Sequence, residues 1–160
     1  MRIRPFVDSD LETLIDLTIQ TFRPFYEDYM QTLLGDEVFA HQHGQWEQDY
    51  REEVPGLHDP AAGKHVAVAE IDQTIAGFVG WQPSERPKSG EVYILAVSSS
   101  HRREAVGRRL CQHAIQEMKA TGVEVVGIGT GEDAFHASAR ALYESLGFTK
   151  IPMAGYLKRV

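Results

Sequence analysis

Three features of this sequence predict an α/β domain with a central mixed sheet and helices on both faces. The run EVYILAV, residues 91–97, is apolar, with branched and aromatic members, and reads as a buried strand. Directly after it Val106, Leu110, Ala114 and Met118 recur at i+4, the spacing of one helical face. Along the whole chain, strand-like and helix-like segments follow in the order β-α-α-β-β-β-α-β-α-β, the order of a mixed sheet covered by helices. The 160 residues suffice for one well-cored domain and are few for two, and 42% hydrophobic with 24% charged residues is ordinary for a globular protein.

Arg2 to Val7 alternates and reads as a short first strand, with Pro5 marking an edge or a strand end. Asp8 or Ser9 caps the next helix, whose apolar face is Leu11, Leu14, Ile15, Thr18 and Ile19. It is expected to run to about Phe22, where Pro24 ends or kinks it. A kinked second helix follows, and a third begins near Asp36. VPGLHDPAAGK, residues 54–64, is a mobile loop by its Pro and Gly content. His65 to Glu70 and Thr74 to Gln82 form two strands joined at Asp72-Gln73. After the loop PSERPKSG comes the 91–97 strand. A helix then runs from Arg102 to near Ala120, stopped at Gly122. Val123 to Gly129 is a buried fifth strand, a helix carries His136 and Tyr143 to Gly147, and Phe148 to Val160 forms the last strands around Pro152.

The strand-to-helix junction is where the chemistry concentrates. A helix start presents unpaired backbone N–H groups to an anion, and the small residues Ala105 and Gly107 let it approach the backbone. Arg102, Arg103, Arg108 and Arg109 add positive charge to the same stretch. The reading is a phosphate or pyrophosphate site.

On these residues the chain resembles the GCN5-related N-acetyltransferase (GNAT) superfamily, in the branch that acetylates small-molecule amines. RREAVG, residues 102–107, is similar to the family's acyl-CoA pyrophosphate loop, with Arg102 and Gly107 matching its ends and Ala105 standing where glycine is usual. HASARALYESLGF, residues 136–148, resembles the second cofactor motif. There Ala139, Leu142, Tyr143, Gly147 and Phe148 are in register, and His136 takes the place of the usual Asn. The resemblance implies one acetyltransferase domain over residues 1–160 with a mostly antiparallel sheet, its cofactor motifs in 91–148 and its acceptor side in 22–58.

It implies acetyl-CoA as cofactor. The pyrophosphate would meet Arg102, Arg103, Glu104, Ala105, Val106, Gly107 and Arg108, and the pantetheine arm would meet the exposed backbone of Leu95, Ala96 and Val97. His136, Ala139 and Tyr143 would complete the cofactor side. Tyr143 would protonate the leaving thiolate, a phenol with a pKa near 10 suiting that task. Glu91 would take the amine's proton, directly or through water, provided that strand alternation places it on the cleft side with Tyr93, Leu95 and Val97. The implied function is transfer of an acetyl group to a primary amine of a small cationic molecule, an aminoglycoside-like amine or a polyamine. Acetylation of a protein or peptide amine and a non-catalytic CoA-binding module stay open as alternatives. Family members are often dimers, with the last strands a common meeting place.

The N-terminal third supplies candidates for the acceptor side. FRPFYEDYM sets Phe25 and Tyr26 beside Glu27 and Asp28, and Trp46 and Tyr50 follow. Aromatic faces beside carboxylates suit a protonated amine or a sugar-like ring, and these residues equally suit covering a sheet. Residues 1–53 hold twelve acidic against four basic residues, while 54–160 hold eleven against twelve. With a net charge of −7, nucleic acid is not an expected partner. His41 and His43 lie two apart, a spacing that does not converge on a helix, and no metal site is expected. No apolar run reaches the ~20 residues of a membrane span, and MRIRPFVDSD lacks the apolar core of a signal peptide. The single cysteine, Cys111, excludes an internal disulfide and reads as a buried small hydrophobe of a cytoplasmic protein.

Overall fold

The computed structural model describes residues 1–160. Five strands form one sheet in sequence order: β1 (Arg2–Pro5), β2 (His65–Ile71), β3 (Thr74–Pro83), β4 (Ser89–Val97) and β5 (Val125–Ile128). The first four pair antiparallel and β5 joins β4 in parallel, so the sheet is mixed and mostly antiparallel. The helices are α1 (Leu11–Pro24), α2 (Gln31–Leu34), α3 (Asp36–His43), α4 (Trp46–Glu53), α5 (Val106–Ala120) and α6 (Ala137–Ser145). The chain divides into two compact units, Met1–Phe22 with Glu47–Gly129 and Arg23–Trp46 with Thr130–Val160.

The first unit holds the whole sheet. The expected stripe of α5 is its centre: Val106, Leu110, Ala114 and Met118 are all buried, with Cys111 beside them. They pack on Ala67, Ala69, Val79, Trp81 and Val92. Two glycines make that packing possible. A Cβ on Gly77 would lie 2.7 Å from the Ala96 carbonyl oxygen and 3.2 Å from Val106, and one on Gly90 would lie 2.6 Å from the Met118 sulfur. On the other face Val66, Val68 and Phe78 are buried, as is the α1 stripe Leu14, Ile15, Leu17, Thr18 and Ile19, and none of these belongs to the α5 cluster. Asp72 and Gln73 turn β2 into β3 with both φ angles positive, the geometry of a two-residue hairpin turn.

At the sheet edge Arg4 donates to Asp10 at 2.7 and 2.9 Å and to Glu70 at 2.9 Å. Asp10 also accepts the Val7 amide at 3.0 Å, so one buried carboxylate ties β1 to the start of α1. Hydrogen bonds from Arg4 hold that carboxyl below the usual range against the opposing effect of burial.

Several sequence expectations need correction. Of the two readings of Pro24, an end or a kink, the end near Phe22 is not what forms. The helix passes through Pro24, whose φ of −63° is helical, into a wide π-helical turn at Phe25–Met30 that absorbs the proline. The 54–64 segment is not a loose loop: Val54 and Leu57 are buried, and short helical turns occupy Val54–Gly56 and Pro60–Ala62. The last strands are absent. Phe148 to Val160 has no regular structure, and Ile151, Met153, Tyr156 and Leu157 lie exposed, with Pro152 removing a backbone donor among them.

Candidate active site

The first part of the site is the junction between β4 and α5. Trp81 pairs with Val92 and Gly80 with Ile94, so Tyr93 has no opposite residue and forms a bulge. This bulge reverses the side-chain alternation. Gly90 and Val92 face α5 before it, and Leu95 and Val97 pack on the α5 cluster after it. The expectation that Glu91 and Tyr93 share a face with Leu95 and Val97 is therefore wrong, because period-2 alternation fails at a bulge. Gly80 makes room for the bulged ring: a Cβ there would lie 2.5 Å from Tyr93. The Tyr93 hydroxyl donates to the Leu57 carbonyl, with the His65 carbonyl at 3.4 Å. Burial, then the charge of Glu91, pushes that phenol well above its ordinary range. Glu91 itself is partly buried and accepts a hydrogen bond from Gln82 at 2.5 Å.

Pairing between β4 and β5 covers only residues 89–92 of β4. From Tyr93 to Val97 the β5 side of β4 has no strand partner, so the backbone at Leu95, Ala96 and Val97 offers hydrogen bonds along one edge. The pantetheine expectation rests on this unpaired edge.

α5 begins at Val106, not Arg102 as the sequence suggested. Residues 102–105 form a tight turn in which Arg103 has φ +69° and Ala105 has φ +59°. A left-handed Ala105 followed by helical Val106 makes two successive amides converge, the backbone arrangement of an anion nest. The first internal bond of the helix runs from the Arg109 amide to the Ala105 carbonyl at 3.0 Å, so the amides before it point out of the helix end. Arg102, Arg103 and Glu104 are exposed, and neither Arg102, Arg103 nor Arg109 enters a salt bridge. Val106 contributes only backbone here, since its side chain is buried under Gly77. The chemistry available is anion binding by amides and guanidinium groups.

The second unit gathers the other candidates. Tyr26 stacks on Trp46 with ring centroids 4.8 Å apart and planes 9° from parallel. Arg23 lies 5.5 Å from the same indole and pairs with Glu27 at 2.9 Å. Trp46 is 7% exposed, so its ring is largely committed to packing, while Glu27 and Asp28 face solvent. Phe25 lies against Tyr26, Tyr29, Phe135 and His136. On α6, Tyr143 is buried with its ring 6.1 Å from Phe148, Ala139 lies one turn before it, and Gly147, at φ +90°, ends the helix as expected. His136 bonds through Nδ1 to Asp133 at 2.7 Å. Sequence reasoning passed over Asp133 and Phe135. The spacing Asp-x-x-His ahead of a helix was the available signal for the first.

Comparison with known proteins agrees with this architecture. Mycothiol acetyltransferase of Thermomonospora curvata is 31% identical over 154 residues, spanning 92% of this chain and 50% of that protein. The uncharacterized N-acetyltransferase YsnE of Bacillus subtilis is 39% identical over 70 residues, 43% of this chain and 46% of its own. The chain thus spans half or less of the length of these curated relatives. Among solved structures, the aminoglycoside antibiotic 6'-N-acetyltransferase AAC(6')-IG from Acinetobacter haemolyticus shares the fold with a TM-score of 0.69 at 17% identity, over 100% of this chain and 99% of that one. Aminoglycoside N-acetyltransferase AAC(6')-Iy, solved in complex with CoA, shares it with a TM-score of 0.65 at 16% identity, over 99% and 100%. The acetyltransferase (GNAT) family model matches residues 12–148, well over half of the sequence, and this chain belongs to that family.

Proposed function

We propose that residues 1–160 form one acetyltransferase domain that moves the acetyl group of acetyl-CoA onto a primary amine of a small cationic molecule. The observation that carries this reading is the Arg102–Gly107 turn. Its left-handed Ala105, converging amides and unpaired arginines suit a pyrophosphate, and the open edge of β4 beside it suits a pantetheine arm. CoA in the AAC(6')-Iy complex, a protein of the same fold, supports the choice of cofactor.

In this reading the backbone of Leu95, Ala96 and Val97 and the turn residues Arg102 to Arg108 bind the cofactor, with His136 and Ala139 on the α6 side. Backbone N–H groups near Leu95 or Val97 polarise the thioester carbonyl. From the sheet face opposite Leu95 and Val97, Glu91 takes the first proton from the ammonium, directly or through water, and Tyr143 supplies the proton that the departing thiolate needs. Phe25, Tyr26, Glu27, Asp28 and Trp46 form the acceptor side. Because Arg23 already engages Glu27 and Trp46, and Phe25 packs against Tyr26, Tyr29, Phe135 and His136, the exposed carboxylate of Asp28 is the most available of these groups. Acidic residues in the N-terminal third favour a cationic acceptor. Aminoglycosides lead this class, since two structural relatives act on them by name, and polyamines come next.

The test is a mass-shift screen in which the protein, acetyl-CoA and panels of aminoglycosides, polyamines, amino acids and short peptides are combined. One added acetyl mass on aminoglycosides or polyamines supports the reading. Product confined to peptides replaces it with a peptide acetyltransferase, and acetyl-CoA binding without any product replaces it with a CoA-binding module.

A further inference from the structure

We propose that Tyr93 is a positioning residue for the thioester arm of acetyl-CoA. Its side chain, drawn across β3 to the Leu57 carbonyl, holds β4 off β5 and keeps the backbone edge of residues 95–97 open. The proposal rests on the acetyl-CoA reading above. Every residue it uses lies in the compact unit that holds the sheet. In the strand order β2-β3-β4-β5, Tyr93 belongs to β4, yet its hydroxyl reaches away from β5. It donates to the carbonyl of Leu57 and lies 3.4 Å from that of His65, the first residue of β2. The ring crosses β3 at Gly80, where a Cβ would lie 2.5 and 2.7 Å from ring atoms Cε2 and Cζ. Any larger residue there would block the crossing.

Two irregularities of β4 meet at this residue. The β3–β4 register slips between Gly80 and Trp81, which leaves Tyr93 without an opposite residue. The pairing with β5 ends at Val92 and Ile128, one residue earlier. A bulge bends its strand and increases the local twist, so β4 leaves β5 at the residue that the hydroxyl grips. The other end of this latch is fixed. Val54 and Leu57 are buried, and the Leu57 amide closes a short turn onto the Val54 carbonyl at 3.1 Å. Asp59 and Lys64 exchange backbone hydrogen bonds at 3.0 and 2.9 Å, and the Val66 amide donates to His58 Nδ1 at 3.1 Å. The segment leading into β2 is thus tied down on both sides of Leu57.

Packing alone does not account for the hydroxyl. A phenylalanine would fill the hollow over Gly80 equally well, but would leave the Leu57 carbonyl without this donor. An unpaired carbonyl on a buried residue is costly, so the hydroxyl fixes which way the ring lies. Burial and the neighbouring charge of Glu91 favour the protonated phenol, which keeps the donor in place. With β4 held toward β2, residues 95–97 have no strand partner on the other edge and can pair with an amide-bearing arm. The turn from Arg102 to Gly107 needs no such latch, because the left-handed Ala105 sets its amides. The thioester arm and the nucleotide end of the cofactor therefore depend on different parts of the chain.

That division is what calorimetric titration tests, with acetyl-CoA and with adenosine 3′,5′-bisphosphate, which lacks the arm. Tyr93→Phe should raise the acetyl-CoA Kd about tenfold, the scale of one hydrogen bond, and change the bisphosphate Kd by less than about twofold. Gly80→Ala keeps the hydroxyl but displaces the ring, and should produce the same split; it decides alone if Tyr93→Phe does not fold. Asp10→Asn weakens the opposite edge of the sheet and should move neither Kd by more than about twofold, which separates positioning from a general loss of stability. Equal acetyl-CoA affinity in wild type and Tyr93→Phe overturns the proposal. Parallel weakening of both ligands, or the same split in Asp10→Asn, overturns it as well. In each of these cases the wild type still binds acetyl-CoA and the cofactor reading stands. A wild type that binds neither ligand overturns the cofactor reading and this proposal with it.

Discussion

The carbonyl of Ala105 accepts the amide of Arg109 at 3.0 Å to start α5, while Ala105 itself stands at φ +59°. An L-residue in that region carries a steric cost of about 1–2 kcal/mol. The chain bears this cost at the turn proposed to face a pyrophosphate, where a backbone concavity is needed. Ala105→Gly should therefore raise stability slightly, by about 0.5 kcal/mol once the entropy of glycine is subtracted, and Ala105→Val should lower it by about 1–2 kcal/mol. Urea unfolding midpoints check both. Equal stability of the three proteins would show that the turn does not hold its left-handed conformation.

Arg4 and Asp10 give a second prediction. Asp10→Asn removes the charge from a buried carboxylate that accepts two guanidinium hydrogen bonds and the Val7 amide, at a cost on the order of 2–3 kcal/mol. The Asp10 pKa is depressed in the fold, so the unfolded chain binds more protons as the solution is acidified. The contribution is complete above the ordinary carboxylate pKa of 3.8 and is lost as pH falls through the lower folded value. Wild type and Asp10→Asn should converge in stability as pH falls toward about 2 and differ most above about pH 5. A constant gap would contradict this.

His58 adds a pH effect nearer neutrality. Its Nδ1 accepts the Val66 amide at 3.1 Å and its ring lies 5.1 Å from Phe6, an arrangement that requires the neutral imidazole. Burial, reinforced by the charge of His65, holds its pKa below 6.5. A depressed histidine contributes stability in full above the unfolded pKa and loses it as pH falls through the folded value. Thermal unfolding between pH 8 and pH 5 should show this loss in the wild type and a smaller one in His58→Gln.

Tyr143 is the proposed acid. Tyr143→Phe keeps the ring against Phe148 and removes only the hydroxyl. Turnover should fall about 100-fold or more with acetyl-CoA affinity preserved, as steady-state rates and calorimetry would show. An unchanged rate would remove Tyr143 from the mechanism.

Much of this structure was legible in the sequence because the signals were periodic. The i+4 stripe from Val106 to Met118, the hairpin at Asp72-Gln73 and the glycine stop at Gly147 each follow from one local rule, and each is present. What failed to show was what depends on a partner. The Tyr93 bulge is defined by the residues opposite it, Gly80 and Trp81, and no alternation pattern within β4 reveals it. The start of α5 at Val106 depends on positive φ angles that neither Arg103 nor Ala105 advertises. The apolar residues from Ile151 to Leu157 resemble strand residues, yet a strand needs a ladder, and here they have none. His136 was visible as an unusual residue at its position. Its bond to Asp133 was not, because the loop that joins them closes only around Gly131.

The central claim is that the turn from Arg102 to Gly107 binds the pyrophosphate of acetyl-CoA. Calorimetric titration of the wild type and of Arg102→Ala/Arg103→Ala with acetyl-CoA tests it most directly. Saturable one-to-one binding, weakened about tenfold or more in the double variant and increasingly screened by added salt, is the predicted result. Absence of binding to the wild type, or equal affinity in both proteins, would contradict it.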